Sequence, residues 1–226
     1  MSDATAPTRV LLVDDQQMVR AGFRMLVDSQ PDLEVVGEAG DGQAALDLLG
    51  ATRADVVLMD VRMPVMDGVE ATRRILQDDR ETAPRVIVLT TFDLDEYAFA
   101  ALQAGASAFL LKDAAPPDLL AAIRAVQAGD AVVAPSTTRR LLDHFVQPSG
   151  SRSVVSEATT RRLAEVTDRE REVLGLIARG LTNPEIAATL VVSEATVKTH
   201  VGRLLAKTDS RDRVQLVLLA LEAGLG

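Results

Sequence analysis

The sequence has no cysteine and no tryptophan, one tyrosine and five phenylalanines, and only three lysines against 21 arginines. Without cysteine there are neither disulfides nor thiolate metal sites, and a reducing, cytoplasmic setting is expected. So few aromatic side chains argue against an aromatic-lined pocket for a small signal molecule. Long apolar runs are missing as well. Nothing approaches the roughly eighteen consecutive apolar residues of a membrane span, and the start of the chain, Met1 to Thr8, is short and polar.

Charge is unevenly spread. Residues 1–130 hold 11 basic and 22 acidic side chains, a net −11, whereas residues 131–226 hold 13 and 11, a net +2. Such asymmetry in 226 residues implies two modules with different partners, the second more tolerant of a polyanion.

In the first module, strand and helix alternate. Val56 to Met59 is a four-residue apolar run without alternation, the pattern of a strand buried on both faces in a parallel sheet, and it ends in Asp60. Pro64 and Gly68 then prevent the strand from continuing. Further strands are expected at Arg9–Val13, Glu34–Gly37, Arg85–Leu89 and Ser107–Leu111. Helices are expected at Gln17–Asp28, Gly42–Leu49, Val69 to about Gln77, Leu94–Gln103 and Pro116–Gln127. Five strands alternating with five helices predict an α/β fold, a doubly wound five-stranded parallel sheet of the flavodoxin-like kind.

Polar groups converge at one edge of this sheet. Strand one ends in Asp14 and Asp15, strand three in Asp60, strand four in Thr90 and strand five in Lys112. An Asp after a strand often just caps a turn, so no one of these residues carries weight alone. Together they form a site at the carboxyl edge, where open α/β sheets bind ligands. Three carboxylates in one place repel each other unless a divalent cation lies among them. Oxygen ligands with no His or Cys favour Mg²⁺, and an ammonium and a hydroxyl beside it suit a tetrahedral dianion.

With thirty residues from Asp60 to Thr90 and twenty-two from Thr90 to Lys112, residues 9–129 resemble a two-component receiver domain. The resemblance implies that Asp60 accepts a phosphoryl group from a sensor histidine kinase. It also implies that Mg²⁺ is held by Asp15, Asp60, Asp14 through water and the backbone carbonyl of Arg62, with Lys112 pairing with the phosphoryl oxygens. Phe109 matches the aromatic position that turns inward when the Thr90 hydroxyl engages the phosphate; read alone, a Phe there is equally a core aromatic. Asp113 stands where many receivers have Pro, so the cis peptide often found there is not expected.

The second module is helical. Between the modules, Ser136–Val146 reads as a short helix and the Ser-rich Gln147–Thr160 as a flexible linker. Thr167 and Glu170 form a capping box for a helix ending near Gly180. Asn183-Pro184 is read as the cap and start of a second helix, and Ser193 as the cap of a third that runs to Lys207. Helices two and three, joined by a tight turn at Val191–Ser193, make a helix-turn-helix. A last helix over Arg211–Glu222 is apolar nearly all round, which implies a second buried face, most simply a second copy of itself.

Leu163–Gly226 is similar to LuxR-type DNA-binding domains, through Thr167-Asp168-Arg169-Glu170, Asn183-Pro184-Glu185-Ile186-Ala187 and Thr196-Val197-Lys198-Thr199-His200-Val201. The whole chain therefore resembles the NarL/FixJ family of response regulators. The expected organisation is a receiver over residues 1–130, a linker with a short helix over 131–162 and an all-α helix-turn-helix domain over 163–226. The implied activity is transcriptional rather than enzymatic, with double-stranded DNA as a partner and a homodimer forming on phosphorylation.

Helical periodicity places Thr196, Lys198, Thr199, Gly202 and Arg203 away from the core of the recognition helix, with His200 near the core edge and Lys207 at the end. The resemblance assigns base reading to the positions of Lys198, Thr199 and Gly202. Gly202 has no side chain, so readout should fall to Lys198 and Thr199. Thr208 stands where the pattern usually has leucine and is expected to loosen local packing.

Other classes fit less well. A phosphohydrolase of the haloacid dehalogenase type needs a second acid two residues after its nucleophile, and that position is Arg62. A phosphorylation-independent LuxR-type factor with a vestigial receiver is the alternative, and the intact acidic site counts against it.

Overall fold

The structure is a computed structural model that describes residues 6–77, 83–90, 96–128 and 157–225. The chain divides into two compact units, residues 1–130 and 131–226.

In the first unit, five parallel strands lie in the order β2-β1-β3-β4-β5: β1 Thr8–Val13, β2 Leu33–Ala39, β3 Val56–Asp60, β4 Arg85–Thr90 and β5 Ala108–Leu111. Helices α1 Gln17–Asp28, α2 Gly42–Ala51, α3 Gly68–Ile75, α4 Glu96–Gln103 and α5 Pro116–Gln127 connect them. The expected α/β architecture is present. Every residue of β3 is buried, as its unbroken apolar run implied. Along the strands alternate side chains face opposite sides. Val10, Leu12, Val56, Leu58, Ile87 and Leu89 form one core with Leu119 and Ile123 of α5 and Val27 of α1. The order of strands reverses between β1 and β3, and that crevice is where open sheets of this kind place ligands.

The second unit is built from α6 Glu157–Arg162, α7 Asp168–Ala178, α8 Asn183–Leu190, α9 Glu194–Lys207 and α10 Arg213–Glu222. Its core joins Val173, Leu174 and Ile177 of α7 to Ile186 of α8, Val197 and Leu204 of α9, and Leu216, Val217 and Leu219 of α10. The Thr167/Glu170 capping box forms as expected.

Several local expectations are corrected. Residues 157–162, expected as linker, form α6, tied to the rest of the second unit by Thr159 Oγ1 to Glu222 Oε2 (3.2 Å) and Arg162 Nε to the Thr208 carbonyl (2.8 Å). The N-cap of α8 is Thr182, in a second capping box with Glu185, and Asn183 is already helical; its Oδ1 accepts from Arg213 Nη1 at 2.8 Å. The last helix is capped by Asp212 and begins at Arg213, two residues later than expected. Thr208 does not leave a loose spot. It is fully buried, donates its hydroxyl to the Leu204 carbonyl (2.7 Å) and shares a hydrogen bond with Ser210 (2.8 Å). The helix expected at 136–146, most of the linker at 147–160, and residues 94–95 of the fourth helix lie outside the described residues.

Candidate functional site: an acidic pocket and an exposed helix

The ends of β1, β3, β4 and β5 bring Asp14, Asp15, Asp60, Thr90 and Lys112 together. Asp14 follows β1 directly, its N–H donating to the Ala39 carbonyl (3.1 Å) as the ladder with β2 continues. Its Oδ1 accepts from the Gln16 N–H (2.8 Å) and its Oδ2 pairs with Lys112 Nζ (2.6 Å). The same ammonium lies 2.9 Å from Asp60 Oδ2. Carboxylate oxygens of Asp14, Asp15 and Asp60 all lie within 4.8 Å of one another. Asp14, Asp60 and Thr90 are buried, and Asp15 is exposed. A cavity of about 190 Å³ opens here, lined by Asp15, Gln16, Asp60, Val61, Arg62, Thr90 and Lys112. Phe109 is buried on β5.

Electrostatics at this site are strained. Burial pushes the Asp60 carboxyl above its ordinary value, the hydrogen bond and charge of Lys112 pull it down, and the charge of Asp14 pushes it up again; the net direction is up. Burial alone would lower the Lys112 ammonium, but its hydrogen bonds to Asp14 and Asp60 outweigh it, and the lysine is held above its ordinary value. Asp14 and Asp60 thus share one cation, with the unpaired Asp15 carboxylate beside them. An all-oxygen donor set with surplus negative charge beside a cavity fits a hard divalent ion that keeps some of its water, as Mg²⁺ does.

What holds Asp60 in place is only partly local. Gly68 opens α3 directly beneath it, with its N–H on the Val61 carbonyl (2.9 Å). A Cβ at Gly68 would lie 2.0 Å from the Asp60 carbonyl oxygen. Only glycine permits that approach. Periodicity and spacing mark Gly68 as a strand breaker but cannot reveal this contact, which depends on how the β3–α3 loop folds back on the strand end. Gln16, which fixes Asp14 and lines the cavity, was likewise not singled out from sequence, nor was Arg20 of α1, whose Nη1 donates to the Asp14 carbonyl (2.6 Å).

In the second unit, Thr196, Lys198, Thr199, Gly202 and Arg203 of α9 are exposed, while Val197 and Leu204 face the core. Lys198 lies 3.5 Å from Glu194 one turn earlier, a surface pair of small energetic weight. Thr199 donates its hydroxyl to the Ala195 carbonyl (3.0 Å), and Thr196 shares a hydrogen bond with the Ser193 cap (2.8 Å). His200 is half-buried, and its Nδ1 has no hydrogen-bond partner among the described residues. Lys207, at the end of α9, pairs within the unit. Its ammonium lies 2.7 Å from Glu170 Oε2 of the α7 capping box, joining the end of α9 to the start of α7. Burial works against ionisation of Glu170, but Lys207 and the Thr167 N–H and hydroxyl prevail and hold its carboxyl down at about 2.

Both units match described families. Residues 10–124 match the response regulator receiver domain, and residues 164–220 match the bacterial regulatory proteins of the luxR family. The chain is 39% identical to the nitrate/nitrite response regulator protein NarP of Escherichia coli K12, over 98% of each chain. It is also 39% identical to the transcriptional regulatory protein LiaR of Bacillus subtilis, over 94% of this chain and 96% of the relative. Among solved structures, the response regulator ChrA of a heme-sensing two-component system covers 98% of this chain and 100% of its own, at 34% identity and a TM-score of 0.53. The response regulator RcsB in complex with DNA covers 94% of this chain and 97% of its own, at 25% identity and a TM-score of 0.55.

Proposed function

The chain belongs to the two-component response regulators that join a receiver domain to a LuxR-type DNA-binding domain, and on that premise we propose that it regulates transcription through Mg²⁺-dependent phosphorylation of Asp60 by a sensor histidine kinase. The observation that carries this reading is the convergence on Asp60. A buried carboxylate faces a cavity, with a lysine at 2.9 Å and two further carboxylates within 4.8 Å.

In the proposed transfer, an Asp60 carboxylate oxygen forms a bond to phosphorus as the N–P bond of the kinase phosphohistidine breaks, and the imidazole takes up a proton. Asp14, Asp15, Asp60 and the Arg62 carbonyl would hold Mg²⁺, which supplies positive charge against the phosphoryl oxygens when bound. Lys112 keeps a fixed ammonium at the same place, and burial keeps bulk water from competing with it. Positioning and charge neutralisation are most of what phosphoryl transfer needs. Acetyl phosphate with Mg²⁺ should add one phosphoryl group to the intact chain, and Asp60→Asn should abolish the mass increase; unchanged labelling of Asp60→Asn would refute the assignment.

The output cannot follow from charge alone. The acidic first unit (net −11) opposes approach to DNA, and a phosphoryl group adds further negative charge, so electrostatics alone would weaken binding. Activation therefore has to come from a conformational change. Thr90 and Phe109 are the coupling residues, and the activated form is a homodimer that presents two copies of α9 to adjacent half-sites of double-stranded DNA. This places the protein's work in the cytoplasm. No helix among the described residues is long and apolar enough to cross a membrane. Sedimentation of the beryllofluoride-bound chain tests the dimer: a species that stays monomeric with and without DNA, while its DNA affinity rises, would exclude dimerisation as the switch.

A further inference from the structure

Of the three carboxylates in the pocket, Asp15 is the one whose position nothing in the pocket explains. Asp14 is fixed by the Gln16 N–H and Lys112, and Asp60 by Lys112. The Asp15 side chain is exposed and makes no hydrogen bond or ion pair with the described residues. With no side-chain contact to direct it, its Cα–Cβ bond takes its direction from the backbone, through the peptide plane that links it to Asp14. The oxygen of that plane is the Asp14 carbonyl, and Arg20 Nη1 donates to it at 2.6 Å.

Arg20 is itself held at two points. Its backbone N–H closes the first turn of α1 on the Gln16 carbonyl (3.1 Å), and its Nε donates to Glu38 Oε2 on β2 (3.2 Å). Glu38 is steadied in turn by Arg24 Nε on its other oxygen. The guanidinium is mostly covered, with 17% of its side chain exposed. A planar fork locked on Glu38 thus directs one N–H at a single backbone oxygen.

We propose that Arg20 is a positioning residue for the divalent cation: by fixing the Asp14–Asp15 peptide plane it aims the Asp15 carboxylate into the pocket. The inference rests on the Mg²⁺-dependent reading above and deepens it. It also makes a prediction of sign. A guanidinium beside an acidic cluster repels a divalent cation, so if charge alone mattered, removing Arg20 would tighten Mg²⁺ binding. If positioning dominates, removal weakens it. Groups that orient metal ligands typically contribute about 10- to 100-fold in affinity, and the lower end is expected for a contact made through the backbone.

Calorimetric titration of the full-length chain with Mg²⁺ tests this. Arg20→Ala should bind about tenfold more weakly than wild type. Arg20→Lys keeps the charge but cannot serve Glu38 and the carbonyl together, so it should also bind more weakly, and it serves as the test if the alanine variant does not fold. In an Asp15→Asn background, Arg20→Ala should have little further effect, because the ligand it aims is gone; a purely structural arginine would act additively. Equal or tighter Mg²⁺ binding by both Arg20 variants, with wild type binding normally, would overturn the inference and leave the reading of the pocket intact. Failure of wild type to bind Mg²⁺ would overturn both.

Discussion

Two lysines of this chain sit against buried carboxylates, one in each unit, and their settings differ in one respect that separates chemistry from architecture. Lys112 is shared between Asp14 and Asp60, with Asp15 close by and a cavity in front. Lys207 faces Glu170, whose remaining bonds are satisfied by the capping box of α7. In the first place carboxylates outnumber the cation, and burial drives Asp60 up. In the second the charges balance, and Glu170 is driven down to about 2. A surplus of charge beside open space invites a further ion, whereas a balanced pair closes a joint. That is why Lys207, though on the recognition helix, is better understood as holding α9 to α7 than as touching DNA.

The strongest way to break the first site leaves its charges alone. Gly68→Ala would put a methyl group 2.0 Å from the Asp60 carbonyl oxygen, so the backbone under Asp60 must move. A loss of about 3 kcal/mol is expected in urea unfolding of the first unit, together with loss of acetyl phosphate labelling. Normal labelling would show that the approach is not needed to place Asp60.

Next in size is the second joint. Lys207→Met leaves Glu170 buried without its cation and should cost about 2 kcal/mol, read as a lower thermal midpoint for the helical unit. The pH dependence sharpens the contrast. Glu170 has a folded value of about 2 against an ordinary 4.5, so its contribution is fully present above about 4.5 and is lost as pH falls toward 2. For Asp60 the sign reverses. Its folded value is raised, the native state binds the proton more tightly, and stability declines as pH rises above the ordinary 3.8. Lys112→Met should be rescued by Mg²⁺, which takes the place of the missing positive charge; Lys207→Met should not respond to Mg²⁺ at all.

A smaller effect is expected at the exposed face of α9. Lys198→Ala should weaken binding to the natural site by about 1.5 kcal/mol if Lys198 contacts a base. A contact to phosphate would instead lower affinity for all sequences and flatten the salt dependence. Gel-shift titrations at two salt concentrations separate these, and equal binding of variant and wild type would remove Lys198 from the interface.

How much of this was legible in the sequence depends on the range of the interaction. The sheet could be read because buried parallel strands are continuous apolar runs, and the pocket because four such runs end in Asp14-Asp15, Asp60, Thr90 and Lys112. Helix α6 escaped because Glu157 to Arg162 is six residues long, largely polar and follows a Ser-rich stretch; what makes it helical is its contact with Glu222 and Thr208, far along the chain. The cap of α8 was ambiguous because Thr182 and Asn183 both cap well. The Thr182/Glu185 spacing that decides it is local, but the adjacent Asn-Pro offers a competing start one residue later. Lys207, Arg20 and Gly68 are different. Glu170 and Glu38 are brought to the two cations by tertiary folding, and the approach of Gly68 to the Asp60 carbonyl is made by the turn of the β3–α3 loop, neither of which periodicity encodes.

The central claim is that surplus negative charge makes the Lys112 pocket a cation and phosphoryl site while the balanced Lys207 joint is purely structural. Amide chemical shifts of the full-length chain, followed during a Mg²⁺ titration, test it most directly. The account predicts saturable shifts at Asp14 to Gln16, Asp60 to Arg62, Thr90 and Lys112, and none at Thr167, Glu170 or Lys207. Saturable shifts around Glu170, or their absence around Asp60, would contradict it.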